Sequence, residues 1–125
     1  MLSRWMFAGL LAFGAVSAQA ASFTEYALPT ASSGVATLAV GPDGNIWFTE
    51  STASKVGRVT TAGVVTEYAL PTFTDVVGVT RSSEPSCIIA GPDGALWFNQ
   101  GAANRFSRIT TAGVITSYSN FTTDL

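Results

Sequence analysis

The sequence predicts an all-β chain made of four-stranded antiparallel blades of a β-propeller, with about two blades present, a partial propeller. Three observations predict it. Thr24-Glu25-Tyr26-Ala27-Leu28-Pro29-Thr30 recurs letter for letter from Thr66 to Thr72, 42 residues on. Gly41-Pro42-Asp43-Gly44-Asn45-Ile46-Trp47-Phe48 recurs as Gly91-Pro92-Asp93-Gly94-Ala95-Leu96-Trp97-Phe98, and Thr60-Thr61-Ala62-Gly63-Val64 recurs from Thr110 to Val114, both 50 residues on. Each repeat holds four short runs of β-forming residues. Repeats of this length with four strands and a recurrent turn plus Trp are propeller blades, whereas leucine-rich and helical repeats need other periods or helical patterning. The blade repeats run from about 24 to 65 and from 66 to 118, within a domain of residues 21–125.

The chain opens with Met1-Leu2-Ser3-Arg4, a short positive stretch, and an uncharged apolar run from Trp5 to Val16 that is too short to span a bilayer. Small residues in Ser17-Ala18-Gln19-Ala20 stand where a signal peptidase reads, so residues 1–20 are expected to be a signal peptide cleaved before Ala21. No cysteine lies near that point to carry a lipid. The mature chain is expected to be exported, periplasmic or secreted, with no membrane attachment after cleavage. In an oxidising compartment Cys87, the single cysteine, is expected to be a small buried core residue on a strand.

Within the first repeat, Val35 to Val40 is an apolar, β-rich run bounded by Gly34 and by the Gly41-Pro42-Asp43-Gly44 turn. Pro42 presets φ for a type I turn, Asp43 closes an Asx interaction, and Gly44 accepts the left-handed conformation that a hairpin bulge requires. Asn45 to Thr49 is the second strand, Lys55 to Thr60 the third and Val64 to Leu70 the fourth, which Pro71 ends. Trp47 and Phe48 are adjacent and so point to opposite faces of their strand, as do Trp97 and Phe98. Two bulky aromatics in a row suit a blade that is covered on both sides. The extra eight residues of the longer spacing fall between Thr72 and Gly91, making Phe73 to Ser86 an insertion.

Thr24 to Leu28 reads as a stray fourth strand, for nine strands in all, and Phe121 to Leu125 echoes Phe73-Thr74-Asp75 as a loop leading onward. Propellers close with roughly four to eight blades. Two blades therefore predict either part of a longer propeller or assembly with copies of itself, because open blade faces and strand edges invite pairing. The remaining blades or further copies are the expected partners.

Composition excludes several classes. A chain that is 47% hydrophobic and 11% charged, with three Trp, three Tyr and eight Phe, has the apolar surface for a packed core. Its formal charge of −2 contains no like-charge block, so no nucleic-acid partner is expected. The chain has no His, which removes the usual general base and the commonest metal ligand.

The repeated strings GPDGNIWFTE (Gly41 to Glu50), SKVGRVTTAGVVTEYALPT (Ser54 to Thr72) and NRFSRITTAGVITSY (Asn104 to Tyr118) resemble the streptogramin B lyase (virginiamycin B lyase) family over essentially all of the mature chain. The resemblance implies a seven-bladed propeller that opens a cyclic depsipeptide antibiotic by eliminating across its ester, using Mg²⁺ held by carboxylates and a His base. It further implies a Glu-Pro-His triplet before the innermost strand of the catalytic blade and a second acid after the Trp-Phe pair. Here the triplet is Glu84-Pro85-Ser86, and Asn99, Gln100 and Gly101 stand where the second acid belongs. Glu84 is thus the one metal-ligand candidate. A Ser hydroxyl is too weak a base for elimination, so no catalytic residue is assigned and no cofactor is expected for these residues, with Mg²⁺ belonging to a complete family site.

Other polar residues have plainer readings. Glu50 is expected at a solvated strand end, Asp43 and Asp93 in the hydrogen bonding of their turns, and Lys55, Arg58, Arg105 and Arg108 on a third strand where cations keep an edge soluble. Asn120-Phe121-Thr122 is a glycosylation sequon in a eukaryotic cell. The ligand is not legible in the sequence.

Overall fold

The structure, a computed structural model, describes residues 18–119. The expected signal peptide lies almost wholly outside these residues, as do Asn120 and the expected loop from Phe121 to Leu125. Ten strands follow in order: β1 (Val35–Val40), β2 (Ile46–Glu50), β3 (Lys55–Val59), β4 (Val65–Ala69), β5 (Phe73–Thr74), β6 (Thr80–Arg81), β7 (Pro85–Ala90), β8 (Ala95–Gln100), β9 (Arg105–Thr110) and β10 (Ile115–Ser119). There is no helix among the described residues, hence none long and apolar enough to cross a membrane.

Two four-stranded sheets repeat one plan. Strands β1 to β4 form the first in sequence order, and β7 to β10 form the second, all antiparallel. The register repeats as well, with Leu38 opposite Phe48 and Ala39 opposite Trp47 in one sheet, and Ile88 opposite Phe98 and Ile89 opposite Trp97 in the other. Both inner strands carry an irregularity at the same place, between Val35 and Leu38 and between Pro85 and Ile88. The turn chemistry explains the hairpins: Gly44 and Gly94 sit at φ 75° and 74°, where a Cβ would be strained.

The core is the layer between the two sheets. Trp47 and Val56 of the first sheet meet Ile88, Leu96, Phe98 and Ile109 of the second, all buried. Thr37 and Thr49 donate their hydroxyls to the carbonyl of Ser86, Thr49 at 2.6 Å, and Ser51 donates to the carbonyl of Pro85. Arg58 Nη1 donates to the carbonyl of Thr111 at 3.2 Å. One blade face therefore captures backbone carbonyls of the next blade's innermost strand and outer turn.

Three expectations need correction. Thr24 to Leu28 is not a strand, because a fourth strand needs a third strand beside it and the described residues supply none. Its Tyr26 still fills the space over Gly63 that Tyr68 fills over Gly113. The insertion is shorter than its sequence span: it is the hairpin β5–β6, and Pro85 and Ser86 already belong to β7. Cys87 is exposed, because it lies on the second blade's outer face, against which the described residues place no neighbouring blade.

Candidate functional site

The candidate site is at the entrance to β7. Glu84 precedes the strand with φ 45°, in the left-handed region, and its counterpart 50 residues earlier is Gly34 at φ 72°. A glutamate stands where the backbone favours glycine, which is a local strain. The Gly101 N–H donates to the Glu84 carbonyl at 3.3 Å and fastens the triplet to the end of β8. The Glu84 side chain is exposed, accepts from Ser82 Oγ at 3.2 Å, and borders a shallow depression with Ser51 and Thr52.

The next two positions are committed to structure. Pro85 is buried opposite Gln100, and Ser86 Oγ donates to Asn99 Oδ1 at 2.7 Å. The Cys87 N–H donates to the same oxygen at 2.7 Å. Gln100 is buried and its Nε2 has no hydrogen-bond partner. Of the residues the family pattern singles out, Ser86 and Asn99 touch, while the Glu84 side chain turns to Ser82, Ser51 and Thr52 and Gln100 is buried on the other face of β8 from Asn99; only one of the four is a carboxylate.

That donor set does not fit Mg²⁺. A hard cation wants carboxylates and waters in octahedral array, and the neutral amides of Asn99 and Gln100 stand where a second carboxylate would. Among the described residues no group of three His, Cys, Asp or Glu side chains is assembled.

Glu50, the counterpart of Gln100, is not at a solvated strand end. It is 0% exposed and both carboxylate oxygens lack a hydrogen-bond partner. Burial pushes its carboxyl above the usual range and outweighs the opposing effect of the Ser33 hydroxyl, while the nearby Glu67 charge adds to the rise and the Lys55 charge opposes it. No local pattern signals this, since the loop of Ser33 and Gly34 is fastened past the end of β2, where the Ser33 and Gly34 carbonyls accept from the N–H groups of Ala53 and Ser51.

Asp43 and Asp93 serve their turns and more. Asp43 Oδ1 accepts from Asn45 N at 3.2 Å and from Trp47 Nε1 at 3.0 Å, and Asp93 Oδ1 accepts from Ala95 N at 3.3 Å and from Trp97 Nε1 at 3.0 Å. Gly41 and Gly91 leave room for those indoles, because a Cβ at either would collide with the ring. Pro42, Gly44, Pro92 and Gly94 complete the exposed turns. Phe48 and Phe98, on the opposite face from the indoles, are buried.

The third-strand cations are mostly ion-paired and half-buried. Lys55 Nζ lies 2.6 Å from Glu67, Arg108 lies 3.0 Å from Asp93, and Arg58 lies 3.7 Å from Asp43 with its guanidinium over the Trp47 ring. Arg105 lies over Phe73, 5.1 Å from the ring centroid. These pairs join a strand to its neighbour or to the turn before that neighbour, and the repeat alone did not announce them.

Two four-stranded antiparallel blades with this turn-and-Trp repeat resemble part of a β-propeller enzyme. The model of the Virginiamycin B lyase family matches residues 12–124, and the chain belongs to that family. A solved streptogramin B lyase is 38% identical with a TM-score of 0.72 over 82% of this chain and 32% of its own. Virginiamycin B lyase from Staphylococcus aureus is 37% identical, TM-score 0.70, over 81% of this chain and 32% of its own. A catalytically inactive histidine-to-alanine variant of the Staphylococcus aureus enzyme, with quinupristin, is 39% identical, TM-score 0.70, over 80% and 31%. The chain thus spans about a third of the length of these solved relatives. No curated protein matches the sequence.

Proposed function

We propose that these residues form an exported binding or scaffold portion of a streptogramin B lyase-like propeller that does not catalyse ring opening by itself and holds no Mg²⁺. The observation that carries this reading is Ser86. It stands in the triplet where the family resemblance implies a His base, and its hydroxyl is tied to Asn99 Oδ1. Elimination needs a group that accepts a proton near neutral pH, which a serine hydroxyl does not. The solved relative in which a histidine is replaced by alanine is described as catalytically inactive, and these 125 residues contain no His.

Family membership favours a second reading, that the base and carboxylates of a working lyase come from blades outside these residues. Incubating the protein with quinupristin and Mg²⁺ and following the cyclic antibiotic by chromatography tests the first reading. No opening above buffer is expected, and catalytic turnover would overturn it. Genomic sequence following the codon for Leu125 bears on the second, which predicts a Glu-Pro-His triplet in a later blade. Export rests on the N-terminal sequence, and mass spectrometry of protein recovered outside the cytoplasm is expected to begin at Ala21.

A further inference from the structure

The two blades treat one cation differently. In the first blade Lys55 Nζ lies 2.6 Å from Glu67 Oε2, and the same carboxylate accepts from the N–H and the hydroxyl of Thr30 at 2.9 and 2.6 Å. Burial opposes ionisation of Glu67, but these donors win and hold its pKa below 4.5. The counterparts of Lys55 and Glu67, 50 residues on, are Arg105 and Ser117. The cation recurs and the carboxylate does not. Among the described residues Arg105 is the one cation without an ion pair, since Lys55, Arg58, Arg81 and Arg108 each face an acid.

The groups beside Arg105 are donors. Gln100 stands opposite it in the β8–β9 register, and Gln100 Nε2 and Arg105 Nε are both buried without a hydrogen-bond partner. Gln100 is only 2% exposed. Ser107 donates its hydroxyl to Ser117 Oγ at 2.7 Å, which leaves the Ser117 O–H to donate in turn. By alternation along β8 and β9, Gln100 and Arg105 share the face of Phe98 and Ile109, which the first blade covers. The Arg105 guanidinium lies over the Phe73 ring at the root of the β5–β6 hairpin, and the residue is half-buried, so it is held in place and still reached from water.

We propose that Arg105, Gln100 and Ser117 form a site for a small organic carboxylate, held between the two blades beside Phe73. Buried donors in native proteins are paired with few exceptions, and a set of donors around a guanidinium calls for an anion. The planar fork of Arg105 matches a carboxylate through two parallel N–H bonds, and the neutral amide of Gln100 adds a donor without a competing charge. The repeat sets the size of the ligand. Beyond Cβ, Glu67 carries a carboxymethyl group where Ser117 carries a hydroxyl, so an acetate-sized ligand gives Arg105 what Glu67 gives Lys55. The site uses none of the side chains of Glu84, Ser86 or Asn99, and so is independent of ring opening.

The test follows the Arg105 Nε–H and the Gln100 side-chain amide of the full chain by heteronuclear NMR, while sodium acetate replaces sodium chloride at constant ionic strength up to about 100 mM, with the thermal midpoint read in parallel. Both resonances are expected to shift saturably with acetate, and the midpoint to rise by a few degrees, roughly what a ligand at a few times its Kd gives. Arg105→Gln is expected to weaken acetate binding about tenfold or more, the worth of a charged hydrogen bond. Ser117→Glu supplies the carboxylate from within the chain; it is expected to raise the midpoint in chloride and to abolish the response to acetate, which keeps the test decisive if Arg105→Gln does not fold. Shifts that fail to saturate, or that chloride reproduces, would mean that water and bulk ions satisfy these donors and would overturn the proposal. So would undiminished acetate binding by Arg105→Gln, or by Ser117→Glu.

Discussion

The indole N–H of Trp47 donates to Oδ1 of Asp43 at 3.0 Å, while the ring fills the space that a Cβ at Gly41 would need. Trp97, Asp93 and Gly91 repeat both relations. The strings beginning Gly-Pro-Asp-Gly are therefore one device: a turn whose aspartate anchors the blade's largest side chain and whose first glycine makes room for it. Tyr68 and Tyr118 complete it by stacking on the same indoles, at 5.7 and 5.6 Å between centroids.

Removing the anchor leaves a buried indole N–H unpaired in the first blade. Asp43→Ala is expected to lower stability by about 1–3 kcal/mol, read as a reduced urea midpoint. Asp93→Ala is expected to cost less, because Trp97 is only half-buried and water can reach it.

Glu50 predicts a pH dependence of opposite sign to most carboxylates. Its folded pKa is raised above the ordinary 4.5, so the fold prefers the protonated form and loses stability as pH rises through and above that value. Glu50→Gln keeps the shape and removes the charge. It is expected to be more stable than the parent at pH 7, with the difference shrinking to nothing as the pH falls below about 4. A difference in thermal midpoint that stays constant between pH 3 and 7 would contradict it. Burial also opposes ionisation of Asp43, but donation from Trp47 and Asn45 wins and holds its pKa below 3.8, so this carboxylate stabilises the fold above that range and ceases to do so in acid.

The left-handed backbone at Glu84 predicts a stabilising replacement. Glu84→Gly restores what the first blade has at Gly34 and is expected to raise stability by about 1 kcal/mol, measured by urea unfolding. Glu84→Ala keeps the strain and is expected to give no gain.

Exposure of Cys87 predicts that one thiol per chain reacts fully with a thiol reagent in dilute native protein, before any denaturant is added. Protection under those conditions would show that the outer face of the second blade is covered even in the monomer.

Most of the architecture was legible because it is written twice. Val35 to Val40 is a strand over the span its composition predicts, and the turn glycines have the predicted positive φ. Trp47 and Phe48 are both buried, as adjacent aromatics on a two-sided blade require. What failed depended on neighbours that a repeat cannot announce. Thr24 to Leu28 has the letters of β4 without a third strand beside it. Cys87 has strand letters but lies on a face whose neighbour is not among the described residues. Glu50 is buried at the end of β2, where the loop of Ser33 and Gly34 is hydrogen-bonded to Ser51 and Ala53, a contact between segments that no local pattern encodes. At the candidate site the family pattern pointed to Glu84, Ser86 and Asn99, of which Ser86 and Asn99 touch, and it missed that Asn99 Oδ1 accepts from both Ser86 and Cys87 while Glu84 turns to Ser82.

The small hairpin β5–β6 carries its own fastening. Asp75 accepts from the backbone N–H groups of Val77 and Val79 at 3.0 and 2.9 Å and pairs with Arg81 at 2.8 Å, while Phe73 stands opposite Arg81. Its two ends meet at one point on the surface, and Val76 and Val77 at its tip are almost wholly in water. Lengthening a loop whose ends are already joined costs little chain entropy. This hairpin is therefore where a foreign peptide could be displayed, or a protease site cut into the chain, without altering how the two blades meet.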